Sequence, residues 1–422
     1  MWGRHFGDLP SRCRKATTDG PSTWCRHGNV ARVRRASQST VPWPLTATQQ
    51  ALRETASSFA MSELTAIAEE CDREAAIPSE LIERFHATGL PTLFLESGQD
   101  DDFVTNACIV AEELSYACAA LASYLMLPVF FNRIVLSYLK GDDRAAFLSA
   151  CLASPVVTSF AASEARAGSD MLALETSATK TATGYRLTGR KEYSSNLRQA
   201  QYVIVVARTA ASGERASDAL SWFLVPTDSP GLRLGERWPT FGLRAIDVSP
   251  VELTDVEVPS SRLLGEPGRG LVMMGHSLAQ SRTGIAALGV GVARRARDLV
   301  IEHGRRRQLY GDKLNRMQDY RFRTADMEKN IAAARALIWV AARATDRGED
   351  AGKESSIAKL FASEMVMNVT TAASGMFGSM GYTGQTQVEK LVRDARHVGI
   401  VEGTDPTHKE IIFANMLRRG AY

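Results

Sequence analysis

The sequence lacks the signatures of several large protein classes. Its 422 residues include only six Cys, with no C-x-x-C pair and no nearby pair of His at metal-ligand spacing. Neither a metal site nor a disulfide framework is predicted, and the cysteines are expected to be small buried hydrophobes in a reducing compartment. The sequence also contains no P-loop, G-x-S-x-G or H-E-x-x-H motif, so the function must be sought in other patterns.

Long apolar runs and a strong overall charge are missing as well. No uninterrupted apolar stretch reaches the roughly 18–20 residues that cross a bilayer. Hydrophobic residues make up 45% of the chain and charged residues 23%, which is typical of a globular protein. The formal net charge is +3, but residues 1–42 carry +6, which leaves −3 for the rest. The charge therefore predicts no nucleic-acid binding, and the apolar pattern predicts no membrane span.

Residues 1–44 are predicted to be a disordered basic extension. They are rich in Arg, Ser and Thr, poor in acidic residues, and show no hydrophobic periodicity. This composition matches an organelle transit peptide, and it also matches an upstream extension of an Ala/Arg-rich bacterial protein. The Arg/Ala bias of the whole chain favours the second interpretation. We therefore predict a bacterial cytoplasmic location, with the mitochondrial matrix as the alternative.

Three further regions predict an α+β fold that is mainly helical. Residues 45–155 have apolar residues at helical spacing, with one near-continuous apolar helix over 107–126, and predict an N-terminal helical domain. Residues 156–268 contain short strand-like runs separated by turn signals, which predicts a middle domain with a mostly antiparallel sheet. Residues 269–422 return to helical spacing and predict a C-terminal four-helix bundle, one helix of which is marked by Met327, Ile331, Ala334, Ile338 and Ala341.

One glycine pattern resembles the start of a dinucleotide-binding fingerprint but fails its context. Gly289-Val290-Gly291-Val292 lacks the third Gly and lies inside a helical pattern with no preceding strand. The fingerprint requires a strand, a tight turn and the start of a helix. We therefore predict an ordinary helix here.

A lone carboxylate near the end of the chain is the strongest chemical candidate. Glu402 follows the apolar run Val398–Val401 and precedes Gly403 and a helix-start signal at Thr404-Asp405-Pro406. A carboxylate at such a position is partly desolvated, which raises its pKa toward the range of a general base. An isolated E-G-T tripeptide is more often a surface Glu before a helix, so this assignment depends on the rest of the chain.

Two motifs in the middle region fit a ligand that contains a planar ring. Residues 163–170, SEARAGSD, directly follow a predicted strand and combine small and hydroxyl residues with a Gly, which exposes backbone N–H groups. Residues 191–196, KEYSSN, place an aromatic beside two hydroxyls at the end of another strand. An aromatic side chain can stack on a ring system while hydroxyls bond its heteroatoms. Each motif alone also fits an ordinary loop.

Taken together, these motifs resemble those of the acyl-CoA dehydrogenase flavoproteins, in order and over residues 46–420. Residues 163–170 resemble the family's T-E-P-G-A-G-S-D, and residues 184–196 resemble its strand ending in an aromatic, a hydroxyl residue and Asn. Residues 242–270 resemble the stretch that closes the β domain. Further along, R-x-x-F-G is matched by Arg307–Gly311, F-G-G-x-G-(Y/F) by Phe377–Tyr382, and R-D-A with E-G-T by Arg393–Ala395 and Glu402–Thr404.

The resemblance implies FAD bound between the β domain and the C-terminal bundle. Ser163 is expected at the pyrimidine side of the isoalloxazine ring, Tyr193 beside the ring and Ser195 toward N5. Phe160, Ala162, Ser169, Ser194, Thr404 and Pro406 complete the contacts expected within one subunit. A second set is expected to meet the pyrophosphate and adenine of a neighbouring subunit's FAD, which implies an obligate homo-oligomer, commonly a tetramer: Arg307, Tyr310, Gln318, Gly375, Gly378 and Ser379.

The resemblance also implies the reaction. Glu402 aligns with the base that removes the proton α to a thioester carbonyl, while the β-hydrogen leaves as hydride to flavin N5 and a trans-2-enoyl thioester forms. Some members carry the base instead at the position of Ser281, which cannot serve, so Glu402 is the candidate. Ser169, Arg282 and Gly403 align with substrate-contacting positions. The implied partners are an acyl thioester of CoA or of an acyl carrier protein, and an electron acceptor such as an electron-transfer flavoprotein.

Several positions depart from the family pattern. Pro-Gly is replaced by Ala165-Arg166, Gln by Gly375, a Gly by Ser379, a polar residue by Pro406, and a frequent Asp by Ala279. A gained cation at Arg166 and a lost anion at Ala279 make the substrate entrance more positive, which suits an acidic acyl carrier protein. Two alternative functions share the fold, a flavin monooxygenase and a non-catalytic scaffold, and the presence of Glu402 argues against both.

Overall fold

The computed structural model describes residues 44–96, 102–209 and 218–418. The extension predicted over residues 1–44 lies outside this part of the chain except for Pro44, and so do Cys13 and Cys25. Within it, helices, a sheet and a second set of helices follow one another along the chain. The prediction of a mainly helical α+β fold with a middle β domain is confirmed.

In the described part of the N-terminal domain there are seven α-helices. A capping box starts the first one, since Thr46 Oγ1 accepts from Gln49 N and Gln49 Oε1 accepts from Thr46 N, both at 3.2 Å. A π-helical turn, Ala60–Leu64, joins the first helix to the second. The helices are α1 (Ala47–Phe59), α2 (Thr65–Glu74), α3 (Leu81–His86), α4 (Leu90–Glu96), α5 (Phe103–Ala117), α6 (Ala119–Tyr138) and α7 (Gly141–Ala153).

The prediction of one apolar helix over residues 107–126 is wrong. Cys118 has extended backbone angles (φ −161°, ψ 118°), which end α5 and start α6. Apolar periodicity cannot reveal such a break, because residues on both sides are buried. The 20-residue helix α6 is long and apolar enough to cross a membrane, but 94% of its apolar 18-residue stretch is buried within the protein. We therefore interpret α6 as a core helix.

The middle domain is a mostly antiparallel sheet with strand order β6-β7-β3-β2-β4-β5-β8. Two pairings are parallel, β1 with β4 and β2 with β4. The long antiparallel pair β3 and β7 has two register shifts, one at Leu187/Gly189 in the middle of β3 and one at Lys191/Ser194 near its end, and such shifts bend the strands. The strands are β1 (Thr158–Ala161), β2 (Ser177–Lys180), β3 (Gly184–Ser195), β4 (Tyr202–Arg208), β5 (Leu220–Pro226), β6 (Leu232–Leu234), β7 (Val248–Pro259) and β8 (Leu263–Leu264).

Strands β4 and β5 are buried on both faces because the sheet separates two cores. Ile204, Val206 and Trp222 pack into a cluster with helix α6. The alternate residues, Val205 and Phe223 among them, pack into a second cluster with β3 and β7. Successive side chains of a strand point to opposite faces, so these near-continuous apolar runs fill both cores at once.

The C-terminal domain is a bundle built around one long helix. Helix α8 packs against α5, α9 and α10, and α11 and α12 pack on α10. The five residues that predicted a bundle helix lie in α9, and each is at most 4% exposed. The elements are α8 (Gly270–Arg306), the short pair β9 (Gln308–Leu309) and β10 (Asp312–Lys313), α9 (Gln318–Asp346), α10 (Gly352–Phe377), α11 (Val388–Val398) and α12 (Asp405–Arg418).

The glycine pattern at 289–292 serves helix packing. A Cβ at Gly291 would collide with the Ser115 hydroxyl and the Glu112 carbonyl of α5. The same interface contains a buried ion network, in which Arg294 of α8 reaches Glu112 at 2.7 Å and Glu113 at 3.0 Å. Arg335 of α9 donates to Glu112 as well. This network ties α5, α8 and α9 together, so the loss of either arginine would leave a buried charge uncompensated.

The described cysteines agree with the sequence-based expectation. Cys71, Cys108, Cys118 and Cys151 are buried free thiols. Over the residues that the structure describes, no cluster of three or more His, Cys, Asp or Glu side chains could hold a metal ion.

Candidate active site

Glu402 lies in a short loop, residues 399–404, between α11 and α12. Two consecutive residues in this loop have positive φ, Glu402 at 56° and Gly403 at 108°. A Cβ at Gly403 would lie 3.1 Å from His408 Cε1, so Gly fits both the backbone angle and the space. Helix α12 begins at Asp405, as the Thr404-Asp405-Pro406 signal predicted. The 399–404 loop is thus a fixed turn and not a simple helix approach.

The carboxylate of Glu402 lies in an unusual electrostatic environment. Its Oε2 is buried and has no hydrogen-bond partner within the described part of the chain. Burial raises the pKa of Glu402 to about 7, against the opposite effect of the Ser281 hydroxyl, Arg282 and Lys359. Ser281 Oγ is itself buried and, among the described residues, has no partner of good hydrogen-bond geometry. A carboxylate with this pKa can hold or release a proton near neutral pH.

Arg282 lies beneath the 399–404 loop and not at a surface entrance. Its side chain is only 5% exposed, and Nε lies 3.5 Å from the Glu402 carbonyl oxygen. The neighbouring departure Ala279 is also buried, at 4% exposed. The sequence-based argument placed Ala279 and Arg166 at the substrate entrance, and its part on Ala279 is wrong, because helix α8 turns this position inward. Arg166 is exposed.

The two middle-domain motifs lie side by side. Lys191 is fully buried and donates to Glu164 Oε1 at 2.7 Å and to the Ala162 carbonyl at 3.0 Å. The backbone N–H of Glu192 donates to the Ser163 carbonyl at 3.0 Å. This buried ion pair joins the loop after β1 to the end of β3, so Ser163, Tyr193 and Ser195 belong to one surface.

The same surface reaches the 399–404 loop through hydroxyl contacts. Thr407 Oγ1 donates to Ser169 Oγ at 3.2 Å, and Thr407 and Thr404 share a hydrogen bond at 3.0 Å. Ser169 and Thr404 are therefore neighbours although they come from different domains. Pro406 is exposed on the first turn of α12. Backbone and hydroxyl contacts thus connect the segments that carry six of the predicted site residues: Ser163, Ser169, Tyr193, Ser195, Gly403 and Thr404.

Tyr193 stands on this surface with an aromatic partner that the sequence analysis missed. Tyr193 is 62% exposed and Trp238 is 41% exposed, and their ring centroids are 6.1 Å apart. Trp238 Nε1 donates to the Glu192 carbonyl at 3.0 Å, which fixes the indole. Exposed, fixed aromatic rings are suited to contact a planar ligand. No local pattern marks Trp238, since it lies 45 residues further along the chain, before β7.

Three residues expected at the cofactor are packed or bonded within the protein or are buried. The Phe160 ring packs against Phe131 and Trp222, with centroids 5.6 and 5.1 Å away, so its side chain belongs to the core. The Ala162 carbonyl accepts from Lys191. Ser194 is fully buried, and its Oγ has no hydrogen-bond partner within the described ranges. A contact with a cofactor by Phe160 or Ala162 would have to use the backbone.

A cavity of about 230 Å³ lies between the β domain and the C-terminal helices. Its walls are mainly apolar, and two buried polar atoms in them, His397 Nε2 and Thr240 Oγ1, have no partner among the residues described. An apolar cleft with a few unsatisfied polar atoms fits a planar heteroaromatic ring such as that of a flavin. The lining residues are Ser195, Thr240, Phe241, Gly242, Leu243, Ile246, Val248, Arg393, Arg396, His397 and Ile400.

The second set of predicted cofactor residues lies at the exposed end of the bundle. His303 near the end of α8 stacks on Phe377 at the end of α10, with ring centroids 4.2 Å apart, so the turns after both helices are close together. Tyr310 is 93% exposed. We call this region the exposed end; it comprises Arg307, Tyr310, Gln318, Gly375, Gly378 and Ser379, all of them exposed.

Comparison with known protein families covers almost the whole chain. Residues 46–153 match the acyl-CoA dehydrogenase N-terminal domain, residues 159–256 the middle domain and residues 268–417 the C-terminal domain. The chain is 32% identical to the mitochondrial short-chain specific acyl-CoA dehydrogenase of Mus musculus over 375 residues, covering 88% of this chain and 90% of that protein.

Further relatives agree with this assignment. A probable acyl-CoA dehydrogenase of Bacillus subtilis, YngJ, is 31% identical over 378 residues, covering 89% of this chain and 99% of that protein. The solved structure of butyryl-CoA dehydrogenase from Megasphaera elsdenii superposes with a TM-score of 0.85 at 28% identity, covering 89% of this chain and all of that one. The chain therefore belongs to the acyl-CoA dehydrogenase family, FAD flavoproteins that are oxidoreductases acting on CH–CH bonds.

Proposed function

We propose that this protein dehydrogenates an acyl thioester between its α and β carbons, with Glu402 as the base. The observation that carries the proposal is the buried Glu402 Oε2 without a partner in the described chain, on a carboxylate whose pKa burial raises to about 7. A general base works best with a pKa near the operating pH, and burial supplies this shift. The hydroxyl of Ser281 cannot replace it, because an alcohol does not accept a proton at neutral pH.

The proposed step moves one proton within the chain's own machinery. The ionised Glu402 accepts a proton from the α carbon of the thioester, and the trans-2-enoyl thioester forms. FAD, when bound, supplies the acceptor for the β-hydrogen. Because the carboxylate is buried, water does not compete with the substrate in proton transfer to and from Glu402. Gly403 follows Glu402 in the loop and Ser169 contacts Thr407 of α12, and both residues are proposed to contact the thioester.

Residues of both domains are proposed to hold the isoalloxazine ring. Ser163, Tyr193 and Ser195 present one polar and aromatic surface, and Thr404 faces it from the 399–404 loop. The cavity at the end of β3 supports this placement, since Ser195 lines it together with His397 from α11. Pro406 and the backbones of Phe160, Ala162 and Ser194 are the more distant parts of the proposed binding surface.

The exposed end is proposed to bind the pyrophosphate and adenine of a neighbouring subunit's FAD. Its residues are too exposed to enclose a ligand alone, as the 93% exposure of Tyr310 shows. Covering by a second copy would complete the site, and we propose a homotetramer. The expected carrier of the acyl group is CoA. Exposed Arg166 leaves an acyl carrier protein as the competing carrier, and an electron-transfer flavoprotein is the proposed electron acceptor.

The test is anaerobic bleaching of the bound flavin by acyl thioesters in the wild type and in Glu402→Gln. The wild type should be yellow and should bleach without NADPH. Glu402→Gln should retain FAD and fold, yet bleach slower by several orders of magnitude, because an amide cannot accept the α-proton. Glu410→Gln on the exposed side of α12 is the matched control and should behave as wild type.

The outcomes separate the possible functions. Retention of more than about a tenth of the wild-type rate in Glu402→Gln would show that another group is the base. A need for externally supplied reduced flavin would indicate a monooxygenase, and a colourless protein would indicate a scaffold. The same acyl group on CoA and on an acyl carrier protein should be compared at low and high salt, because steering by Arg166 weakens as salt rises.

A further inference from the structure

We propose that Lys359 and Arg282 are positioning residues, which hold the 399–404 loop by two consecutive carbonyl groups. The inference rests on the proposed role of Glu402 as the base. Its basis is the geometry around the loop, where buried cations from two different helices contact two consecutive carbonyl oxygens, those of Glu402 and Gly403.

Lys359 of α10 makes the shorter contact. Its side chain is 0% exposed, and Nζ donates to the Gly403 carbonyl at 2.6 Å. Nζ also lies 4.0 Å from Asp405 Oδ1, the oxygen to which Ser363 Oγ donates at 2.7 Å. A buried ammonium is unfavourable unless hydrogen bonds and an opposite charge compensate it. Here the compensating groups are the 399–404 loop and the first residue of α12, so the lysine ties both to α10.

Arg282 of α8 reaches the preceding carbonyl. Its Nε lies 3.5 Å from the backbone carbonyl oxygen of Glu402, and its Nη1 lies 3.4 Å from Ser356 Oγ of α10. Since Glu402 and Gly403 both have positive φ, their peptide groups are turned in a way that a residue with a Cβ rarely adopts. Cations below both carbonyls stabilise this turn. The turned backbone in turn directs the Glu402 side chain.

The same cations set the charge that the Glu402 carboxylate meets. Both oppose the effect of burial on its pKa. The other titratable groups around the loop are Asp405 and His408 of α12 and His397 and Arg396 of α11, of which Arg396 lies near Gly399. Burial lowers the pKa of His397 to about 4 and that of His408 to about 3, so both rings are neutral near pH 7. Lys359 and Arg282 therefore supply the positive charge that acts on the Glu402 carboxylate.

The test compares three substitutions of Lys359 with a matched control. Lys359→Met removes both donor and charge, Lys359→Gln keeps a donor without the charge, and Lys359→Arg keeps both. Lys353→Met makes the same change in the first turn of α10, about 9 Å away along the helix axis. Each variant is assayed for bound FAD, melting temperature, and kcat and KM against pH.

Lys359→Met should lower kcat by about 10- to 100-fold with KM nearly unchanged, because the base is misplaced. The rising limb of kcat against pH should move up by about one unit, since a lost positive charge raises the pKa of Glu402. Lys359→Gln should show the same shift with a smaller loss of kcat, and Lys359→Arg should keep the limb in place. Lys353→Met should match wild type in every measurement.

If Lys359→Met had the same kcat as Lys353→Met and the same rising limb of kcat against pH, the proposal would be overturned. If Lys359→Met loses its FAD, the proposal is tested with Lys359→Gln and Arg282→Lys. The rising limb of kcat against pH must move in Lys359→Gln, which lacks the charge, and must keep its position in Arg282→Lys, which retains it. A merely structural lysine would lower the melting temperature without moving the limb. Failure of the proposed function is distinguishable, because activity would then persist in Glu402→Gln whatever the Lys359 variants do.

Discussion

The 399–404 loop and the exposed end of the bundle differ in almost every physical property. At the loop, Lys359 and Arg282 are buried, and the Gly403 carbonyl accepts a charged hydrogen bond at 2.6 Å. At the exposed end, Tyr310 is 93% exposed, and two aromatics a few residues from its members along the chain, Tyr382 and Phe322, are 89% and 60% exposed. Polar groups are buried where the proposed chemistry occurs, and large aromatics are exposed where cofactor binding is expected.

This difference indicates which parts of the proposed active site one chain supplies and which parts are expected to need a second subunit. The proposed base and its supporting cations come from one chain, in which Arg282 of α8 and Lys359 of α10 contact the carbonyls of the 399–404 loop. The exposed aromatics form apolar surface of the kind that marks an interaction site. We therefore expect substitutions at the 399–404 loop to act on rate within a subunit. Substitutions at the exposed end should act on FAD retention and assembly.

The largest effect is expected from a methyl group at the loop. In Gly403→Ala the new Cβ meets a φ of 108° and the His408 ring at 3.1 Å. The loop must shift, which should lower kcat by about 100-fold and destabilise the fold by about 1–3 kcal/mol. Gly384→Ala is the control, since a Cβ there meets nothing within 4 Å. Stopped-flow bleaching and thermal unfolding measure the two effects, and a fully active Gly403→Ala would contradict the view of the loop as fixed.

At the exposed end, Arg307→Met should act on FAD retention and leave the bleaching rate of loaded enzyme alone. Hydrogen bonds to charged groups contribute about 1.5–3 kcal/mol, so the Kd for FAD should rise by about 10- to 100-fold. Arg306→Met is the control, because Arg306 pairs with Glu302 on the exposed surface of α8. Equilibrium dialysis with FAD and sedimentation velocity provide the readouts. Unchanged FAD affinity would remove Arg307 from the proposed binding surface.

The burial of Glu402 should also be visible in stability. Its pKa is raised from 4.5 unfolded to about 7 folded, so the folded state holds a proton that the unfolded state loses between these values. This contribution is fully present below pH 4.5 and disappears as the pH rises through about 7. Glu402→Gln lacks this dependence, so its melting temperature relative to wild type should rise by a few degrees across that window. A constant difference would show that Glu402 is not desolvated.

The smallest effect is expected from removal of residues 1–42. This segment lies outside the described part of the chain, and its sequence has no periodic apolar face with which to dock on a core. The truncated protein should keep its FAD content and its melting temperature. A fall of many degrees would show that the segment stabilises the body of the protein.

The sequence predicted those parts of the molecule that depend on local periodicity and on order along the chain. The face of α9, the start of α12 at Asp405 and the candidate Glu402 all follow from spacing or from a short motif. The helix break at Cys118 was missed, because buried residues on both sides leave no periodic signal. Interior placement was also missed at Ala279 and Arg282, since a motif alignment does not show which side of a helix faces inward.

Contacts between distant segments are the other part that the sequence could not supply. Lys359 is 44 residues from Gly403 and follows an ordinary helical pattern, so nothing local marks it as a ligand of the loop carbonyl. Trp238 meets Glu192 across 46 residues. Such pairs are fixed by how the helices and the sheet pack, and packing depends on the whole chain.

The central claim is that Glu402 removes the α-proton, and hydrogen exchange tests it without any oxidation. An acyl thioester with α-hydrogens but no β-hydrogen, such as 3,3-dimethylbutyryl-CoA, can lose an α-proton but cannot be dehydrogenated. In D₂O, wild-type enzyme should exchange its α-hydrogens, followed by NMR, at a rate that rises with pH through about 7, as the pKa of Glu402 requires. Glu402→Gln with bound FAD should show no exchange above the enzyme-free rate. Equal exchange by both proteins would contradict the account.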